Sequence, residues 1–371
     1  MTTVHHKKVI ISGGGTGGHI FPAIAIARAL IQEEPGTDIL FVGAKGKMEM
    51  EKVPAAGFQI VDLPVEGIQR RITLSNIRVT CNLIRSLGKA RRLLHDFGPD
   101  AVVGTGGYAS GPVLYMAGRK KIPTLIQEQN SLPGVTNKIL SKRATTICVA
   151  FEGMERYFPA KKILFTGNPV REGLEHLHDL KEKGYRHFNL DAQKKTLLVL
   201  GGSLGARTIN ESIIRQFAQL MNSGIQVIWQ CGTHYFKNAH KIMEENHPGN
   251  IFLFDFIHRM DLAYSVADLV ISRAGAGTIS ELSVAGKPVV LVPSPNVAED
   301  HQSKNARALA DKHAAVLIPD EKAVEKLIPH CLEIIYQDGV LRALSGQISK
   351  MARPHSARDI AREVIKLCEL E

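Results

Sequence analysis

One stretch near the N-terminus limits what this chain can fold into more than any other. Residues 8–19 begin with an apolar, β-branched run, continue through five glycines and end on His19. Pro22 then opens an alanine-rich segment with helical spacing. Such an uncharged strand is typical of a parallel sheet covered on both faces. The stretch therefore predicts a strand, a phosphate-type loop and a helix whose N-terminus favours an anionic or sugar ligand.

The glycine spacing first has to be tested as a dinucleotide site. Gly13, Gly15 and Gly18 satisfy the pattern G-x-G-x-x-G. A nicotinamide or flavin site would also need an acidic residue at the end of the second strand, to bind the ribose. The second predicted strand, residues 39–43, runs instead into a loop with two lysines. The missing carboxylate makes a nicotinamide or flavin site less favoured, but lysines could bind the 2′-phosphate of NADP, so NADP is not excluded. The alternative is a glycine loop that only packs a helix on a strand.

Length and composition indicate a soluble protein of about two domains. The chain has 371 residues, of which 44% are hydrophobic and 22% are charged. No secretory segment precedes the glycines, and the longest uncharged window, residues 101–118, holds five glycines and a proline. Because such a window makes a poor membrane span, we expect no spanning helix.

The cysteines indicate the redox compartment of the protein, and the net charge indicates the chemical class of its partner. The five cysteines are far apart and form no Cys-x-x-Cys pair, which is typical of thiols in a reducing cytoplasm. The net charge of +10 favours an anionic partner or substrate, and at this level nucleic acid, a phosphorylated metabolite and an acidic membrane surface all remain open.

Strand and helix patterns alternate along the chain twice. Around residues 167–171 the first series ends, and a charged stretch at 176–195, read as irregular, separates it from a second strand, glycine turn and helix at 196–207. We therefore predict an α/β protein of two Rossmann-like domains with parallel sheets, 1–170 and 171–352, facing a central cleft, with a last helix at about 353–371 that packs back on the first domain. The predicted strands lie at residues 39–42, 58–63, 101–103, 124–126, 146–149 and 163–165, then at 196–200, 226–230, 251–254, 269–272, 289–292 and 315–318.

Polar, glycine-rich loops follow many of these strands. Because the carboxyl ends of parallel strands meet at one edge of a sheet, such loops predict a wide ligand cleft rather than isolated turns. They occupy residues 104–112, 127–130, 167–171, 201–207 and 272–281.

Two side chains beside glycine-rich turns could take part in binding or catalysis. Glu281 lies one turn inside a helix that starts at a Gly-x-Gly turn, where it can reach ribose hydroxyls; a surface glutamate at a helix dipole is the alternative. His19 could act as a general base, or be a packed or capping histidine. The chain has no Asp-x-Asp and no His, Cys and carboxylate cluster with metal spacing, so we expect no protein-held metal.

A basic stretch at residues 70–95 has seven Lys or Arg residues and no acidic one. On a helical wheel five of them form one stripe beside aliphatic residues. Such a stripe suits anionic lipid headgroups or a prenyl phosphate, and equally an ordinary solvated helix face. The five are Arg71, Arg78, Arg85, Lys89 and Arg92.

Taken together, these motifs resemble the MurG family, the bacterial N-acetylglucosaminyltransferases of peptidoglycan synthesis that convert lipid I to lipid II. The resemblance covers nearly the whole chain, through residues 13–19, 108–112, 128–130, 167–171, 201–206, 273–281 and 301–306. It implies the GT-B fold and inverting transfer from UDP-N-acetylglucosamine to the 4-hydroxyl of the muramoyl unit of lipid I. It also implies a peripheral position on the cytoplasmic face of the cell membrane, whose anionic surface is a partner, and no cofactor.

The resemblance assigns roles residue by residue. It implies that Glu281 holds the ribose and the Ile257 backbone the uracil. The diphosphate would be held by Arg171, Ser203 and Thr278, and the donor sugar contacted by Asn130, His301 and Gln302, although some members have glutamine where this chain has His301. Thr16, Gly17 and Gly18 complete the predicted donor-binding set, and Thr16 also lies near the acceptor-side residues His19 and Tyr108. The general base is either His19 or Glu128.

Other functions keep part of this pattern. A diacylglycerol glycosyltransferase would share the donor half, and a sugar-nucleotide sensor would bind without turnover. Nucleic-acid binding is disfavoured, because the chain is only 6% aromatic and has no recognisable recognition module.

Overall fold

The computed structural model describes residues 6–65, 75–171, 173–297 and 300–370, with only the backbone at 75–78. The chain divides into two compact units. The first comprises Met1–Val170 with His355–Glu371, and the second comprises Arg171–Pro354. In the described ranges no helix is both long enough and apolar enough to cross a membrane.

The first unit is built on a seven-stranded sheet in the order β3-β2-β1-β4-β5-β6-β7, in which every pair is parallel. The order reverses between β1 and β4, and in open α/β sheets ligands bind at the carboxyl ends of strands at such a reversal. The strands are β1 (Lys8–Gly13), β2 (Asp38–Ala44), β3 (Gln59–Leu63), β4 (Ala101–Gly106), β5 (Thr124–Glu128), β6 (Thr146–Val149) and β7 (Ile163–Phe165).

Helices cover both faces of this sheet, because alternate residues of each strand point to opposite sides and both sets are apolar. On β1, Val9 and Ile11 belong to one buried cluster and Ile10 to the other. The helices described between these strands are α1 (Gly17–Glu33), α2 (Glu49–Ala55), α3 (Ser75–Phe97), α4 (Ser110–Arg119) and α5 (Val135–Leu140).

The second unit repeats the plan with six parallel strands in the order β10-β9-β8-β11-β12-β13. The order again reverses beside the first strand, between β8 and β11. These sheets confirm the predicted α/β class with two Rossmann-like domains. The strands are β8 (Thr196–Leu200), β9 (Gln226–Gln230), β10 (Ile251–Phe254), β11 (Leu269–Ser272), β12 (Val289–Leu291) and β13 (Val316–Leu317).

Nine helices are described in the second unit, and they pack on its sheet and on one another. They are α6 (Lys181–Phe188), α7 (Arg207–Arg215), α8 (Phe217–Met221), α9 (Phe236–Asn246), α10 (Met260–Val266), α11 (Ala276–Ala285), α12 (His301–Ala310), α13 (Asp320–Ile334) and α14 (Asp338–Ser349).

Helix α6 corrects the expectation of an irregular stretch at residues 176–195. Only Gly184 and Phe188 of this helix are buried, so its sequence lacks a clear apolar stripe. A Cβ on Gly184 would press on Ser265 and Val266, both in α10. This helix is therefore stabilised by its contact with α10, which the sequence pattern does not show.

The C-terminal helix α15 (Ser356–Leu367) belongs to the first unit and packs along α1. Its residues Ile360 and Val364 are fully buried in the same cluster as the α1 side chains. On the rim, Glu33 of α1 accepts hydrogen bonds from Arg358 at 2.7 Å and from Arg362 at 2.6 Å, and these bonds lower the pKa of Glu33.

We expect Ile360→Ala to lower the free energy of unfolding of the first unit by about 2–5 kcal/mol, because it leaves a cavity between α15 and α1. Urea unfolding followed by circular dichroism measures this change. Lys366→Ala, on the exposed face of α15, is the control and should change little. An Ile360→Ala transition as stable as the wild type would contradict the packing described here.

Candidate functional site

In the first unit, two glycine loops meet where β1 and β4 end. The β1–β4 register shifts between Ser12 and Gly13, so β4 carries one extra residue at this point. The N–H of Gly14 donates to the carbonyl of Gly106 at 3.3 Å. A Cβ on Gly107, whose φ is +82°, would overlap the carbonyl oxygen of Gly14. Glycine is therefore needed there for the two backbones to approach.

A buried carboxylate hydrogen-bonds the backbone of the glycine loop that follows β1. Glu49 is fully buried in the first turn of α2. Its Oε1 accepts the N–H of Ala44 at 2.9 Å, and its Oε2 accepts the N–H of Gly15 at 3.0 Å. The acidic residue sought at the end of the second strand thus exists six residues after Gly43, and it binds the loop backbone instead of pointing outward. Glu49 is not among the residues that the sequence predicts for the site.

His19 is fixed from two sides at the start of α1. The Thr105 hydroxyl donates to its carbonyl oxygen at 2.8 Å, and its Nδ1 shares a hydrogen bond with the Thr16 hydroxyl at 3.1 Å. The imidazole lies against Gly106, where a Cβ would meet Cδ2 at 2.7 Å. His19 is half-buried, Thr16 is exposed, and the side chain of Tyr108 is 53% exposed. The predicted acceptor-side residues therefore lie in or beside the two adjoining loops that follow β1 and β4, as do Gly17 and Gly18.

Glu128, the last residue of β5, is only 2% exposed. Its Oε1 accepts the N–H of Asn130 at 3.0 Å, and its Oε2 accepts Nδ2 of Asn137 at 2.8 Å and the N–H of Gly134 at 3.2 Å. Burial raises the pKa of this carboxyl, and these hydrogen bonds oppose the rise. Glu128 thus folds the loop after β5 around itself, with Asn130 half-buried beside it.

In the second unit, glycine loops also meet at the reversal of strand order. The N–H of Gly201, just after β8, donates to the carbonyl of Gln230 at 2.9 Å. A Cβ on Gly232 would overlap the backbone of Gly205, so the turns after β8 and β9 are in contact. The exposed Ser203 lies in the turn that leads into α7, and its carbonyl accepts the N–H of Thr233 at 3.0 Å. Both α7 and α11 begin at this edge, and helix N-termini favour anions there.

A half-buried ion pair joins the loop after β11 to the start of α13. Arg273 pairs with Asp320, at the start of α13, and its Nη1 also donates to the carbonyl of Val292 at 3.1 Å. The Thr208 hydroxyl of α7 donates to the other oxygen of Asp320 at 2.9 Å. The start of α7 and the loop that precedes α11 are therefore tied to the same carboxylate.

Glu281 lies on α11, one turn beyond the half-buried Thr278, and its side chain is 16% exposed. Its Oε1 accepts Nε of Arg171 at 2.7 Å. Its Oε2 accepts the hydroxyl of Tyr264, in α10, at 3.1 Å. Arg171 is 46% exposed, whereas Tyr264 is 1% exposed. Tyr264 is not predictable from the sequence, because nothing in an apolar helix distinguishes it from a core aromatic residue.

The remaining predicted residues of the second unit lie in loops at strand ends or at a helix start. Ile257 follows β10, and its backbone N–H donates to Oε1 of Gln230 at 3.0 Å. Half-buried His301 and Gln302 begin α12, and Oε1 of Gln302 accepts the N–H of Ser294 at 2.9 Å.

The predicted residues thus fall into two groups. The second unit contains Arg171, Ser203, Ile257, Thr278, Glu281, His301 and Gln302. Four others that were grouped with them as donor-binding, namely Thr16, Gly17, Gly18 and Asn130, belong to the first unit.

Four of the five residues of the predicted basic stripe lie on α3. Arg71 is outside the described residues, and only the backbone of Arg78 is described. Arg85 and Arg92 are exposed, and Ile84, one of the aliphatic residues that flank the stripe, is 64% exposed. Nζ of Lys89 donates to Asp62 at 2.7 Å, which lowers the pKa of that carboxyl.

Within the parts of the chain that the structure describes, no three His, Cys, Asp or Glu side chains are grouped so that they could hold a metal ion. The cysteines described there are all free thiols.

Comparison with known proteins places the chain among sugar transferases. Residues 9–149 match the Glycosyltransferase family 28 N-terminal domain, and residues 196–362 match the C-terminal domain of the same family. Two curated proteins, from Parabacteroides distasonis and Phocaeicola vulgatus, are named UDP-N-acetylglucosamine--N-acetylmuramyl-(pentapeptide) pyrophosphoryl-undecaprenol N-acetylglucosamine transferase. The first is 55% identical over 362 residues, 98% of each chain. The second is 53% identical over 363 residues, 98% of this chain and 96% of the relative.

A solved structure agrees with these relatives. The crystal structure of Acinetobacter baumannii MurG matches 97% of this chain and 99% of its own, with a TM-score of 0.79 and 29% identity. This similarity confirms the predicted GT-B fold. The chain belongs to glycosyltransferase family 28 and, within it, to the MurG family of N-acetylglucosamine transferases.

Proposed function

We propose that this chain transfers N-acetylglucosamine from UDP-N-acetylglucosamine to the muramoyl unit of lipid I, giving lipid II for peptidoglycan synthesis. One observation carries the proposal. Glu281 lies on α11, at the strand edge where an α/β domain binds nucleotides. Its carboxylate accepts hydrogen bonds from Arg171 and Tyr264. Full-length similarity to transferases of that name supports the choice of sugar and acceptor.

The donor is assigned to the second unit by its chemistry. A carboxylate is the group that accepts from both ribose hydroxyls, and Glu281 offers one lone pair on each oxygen beyond those used by Tyr264 and Arg171. The diphosphate is assigned to Ser203, to Thr278 and to the N-termini of α7 and α11, with Arg171 as its cation. The uracil is assigned to the carbonyl of Ile257, because its N–H is already engaged by Gln230.

The donor sugar is assigned to Asn130, His301 and Gln302, as the resemblance implies. Gln302 also fixes the backbone of Ser294, so its amide nitrogen is the group directed to the sugar. Thr16, Gly17 and Gly18 contribute backbone N–H groups and a hydroxyl from the first unit, whose α1 N-terminus favours a phosphate or a sugar oxygen.

His19, rather than Glu128, is proposed as the general base toward the acceptor hydroxyl, with Tyr108 beside it. In the tautomer whose Nδ1–H donates to Thr16, Nε2 carries the lone pair that a base needs. Glu128 is 2% exposed and uses both oxygens to fold its own loop. Its role is to shape that loop and to present Asn130.

The mechanism follows from charge. As the glycosidic bond breaks, the sugar becomes oxocarbenium-like and the leaving UDP gains negative charge. The helix N-termini and Arg171 are fixed groups that stabilise this charge without reorganising. Attack by the acceptor 4-hydroxyl from the opposite side inverts the anomeric centre, and the base takes the hydroxyl proton.

Because protein groups supply this charge stabilisation, we expect activity to survive removal of divalent metal ions. Turnover in excess EDTA should stay close to the untreated rate, as measured by product formation with a short-chain acceptor. Loss of activity that magnesium or manganese restores would show instead that a metal ion assists the leaving group.

The membrane surface is assigned to the outer face of α3. Arg85 and Arg92 of the predicted stripe are exposed there, and so are Arg91 and Ile84, whereas Lys89 forms an ion pair with Asp62. Each basic residue near an anionic surface contributes about 1 kcal/mol, and the attraction falls off within a Debye length. This face therefore suits reversible attachment at the cytoplasmic side of the membrane, where lipid I keeps its prenyl chain.

We expect Arg85→Glu combined with Arg92→Glu to weaken binding to anionic vesicles more than about tenfold, because two attractions become repulsions. Vesicle co-sedimentation at low and high salt measures this change, and turnover of a soluble short-chain acceptor should persist. Lys237→Glu with Lys326→Glu, both exposed in the second unit, makes the same change in net charge and is the control. Equal loss in both pairs would mean that only total charge matters.

Release of UDP tests the proposed function itself. The enzyme should release UDP from UDP-N-acetylglucosamine rapidly with a lipid I analogue and only slowly without it. Tight UDP binding without acceptor-dependent release would indicate a sensor.

A further inference from the structure

A buried phenol lies directly behind the carboxylate assigned to the ribose. Tyr264 is 1% exposed on α10, and its hydroxyl donates to Oε2 of Glu281 at 3.1 Å. The residues around it on α10 are buried as well, so the packing of the helix fixes the ring. The position of its hydroxyl oxygen is therefore set by the core of the second unit.

The two partners of Glu281 differ in rigidity. Arg171 is 46% exposed and reaches Oε1 with a long side chain, so it can turn toward another anion. Tyr264 cannot turn away, because its ring is buried. Burial and the neighbouring charge of Glu281 raise the pKa of Tyr264 well above its ordinary value. The phenol is consequently a neutral donor throughout the pH range of an enzyme assay.

We propose that Tyr264 is a positioning residue for nucleotide recognition. It holds the Glu281 carboxylate so that one lone pair on each oxygen faces the ribose hydroxyls of the donor. This inference rests on the assignment of Glu281 to the ribose in the proposed function.

The carboxylate needs such a support. A glutamate side chain has three rotatable bonds, and it would otherwise lose their freedom when the nucleotide binds. When UDP binds, Arg171 is drawn to the diphosphate and its hold on Oε1 weakens. Tyr264 then remains as the fixed donor that keeps the carboxylate oriented. Such preorganisation increases affinity without any contact between the phenol and the ligand.

The test compares UDP with 2′,3′-dideoxy-UDP, which lacks both ribose hydroxyls, in calorimetric titrations of the full chain. Tyr264→Phe keeps the packed ring and removes only the hydroxyl. We expect it to raise the Kd for UDP about tenfold and to leave the Kd for the dideoxy analogue within about twofold. In turnover, KM for UDP-N-acetylglucosamine should rise while kcat stays near the wild-type value.

A matched control removes a phenol hydroxyl elsewhere in the same unit. Tyr336→Phe deletes a hydrogen bond of 2.8 Å to the carbonyl of Ser223, and it should change neither Kd. Equal weakening of both ligands by Tyr264→Phe would mean a general structural role and would overturn the inference. So would an unchanged affinity for UDP.

Glu281→Ala separates this inference from the proposed function. If that variant binds UDP like the wild type, the ribose assignment itself is wrong. If it loses UDP affinity while Tyr264→Phe does not, the donor site stands and only the role of Tyr264 is rejected.

Discussion

Replacement of His19 by alanine is expected to lower kcat by about 10²- to 10⁴-fold, the usual contribution of a positioned general base. The affinity for UDP should stay within a few-fold of the wild type, because the groups assigned to the nucleotide lie in the second unit. The imidazole is held by Thr16 and packed on Gly106, so its removal should leave the loop backbone in place. Single-turnover kinetics with a soluble acceptor separates the chemical step from binding.

Two further variants decide whether this loss belongs to His19. His95→Ala removes an exposed imidazole at the end of α3 and should have no effect on kcat. Glu128→Gln should destabilise the loop around Asn130, since an amide has one acceptor oxygen whereas the carboxylate accepts hydrogen bonds at two. A normal kcat in His19→Ala, together with a pH-dependent loss in a folded Glu128→Gln, would transfer the role of base to Glu128.

Glu281→Ala should weaken UDP binding about 100-fold, because two hydrogen bonds from ribose hydroxyls to a charged acceptor are lost. The Tyr264 hydroxyl would also be left buried without its acceptor, which lowers the stability of the second unit. Calorimetry measures the change. Glu321→Ala, an exposed carboxylate in the first turn of α13, is the matched control.

A UDP affinity that is unchanged in Glu281→Ala would disprove the ribose assignment. Comparable losses in the Glu281 and Glu321 variants would mean that the total negative charge of the unit matters, and the carboxylate position would not. Melting temperatures of both variants show whether either loss comes from unfolding.

Much of the fold follows from short apolar runs. Strands at Thr146–Val149, Gln226–Gln230 and Ile251–Phe254 lie where the sequence predicts them, because each is an uncharged run bounded by turn residues. Which strand lies beside which does not follow from such runs. The pairing of β1 with β4 joins segments about 90 residues apart, and only the packed sheet shows it.

Site residues next to glycine-rich loops are predictable from the sequence, whereas residues whose role depends on burial are not. Glycine spacing led to His19 and Glu281. By contrast, Glu49 and Glu51 occupy the same first turn of α2, and sequence alone cannot tell that Glu49 is buried under the glycine loop while Glu51 is exposed. Tyr264 is hidden for the same reason, since its hydroxyl matters only through a contact with a helix that follows later in the chain.

The proposed transfer is tested most directly by offering the enzyme radiolabelled UDP-N-acetylglucosamine with two acceptors in the same anionic vesicles, a lipid I analogue and diacylglycerol. We expect label to pass only to the lipid I analogue, as a single added N-acetylglucosamine in β linkage, and we expect the Glu281→Ala and His19→Ala variants not to form this product at the wild-type rate. Transfer of label to diacylglycerol, or release of free N-acetylglucosamine with the lipid I analogue unmodified, would contradict it.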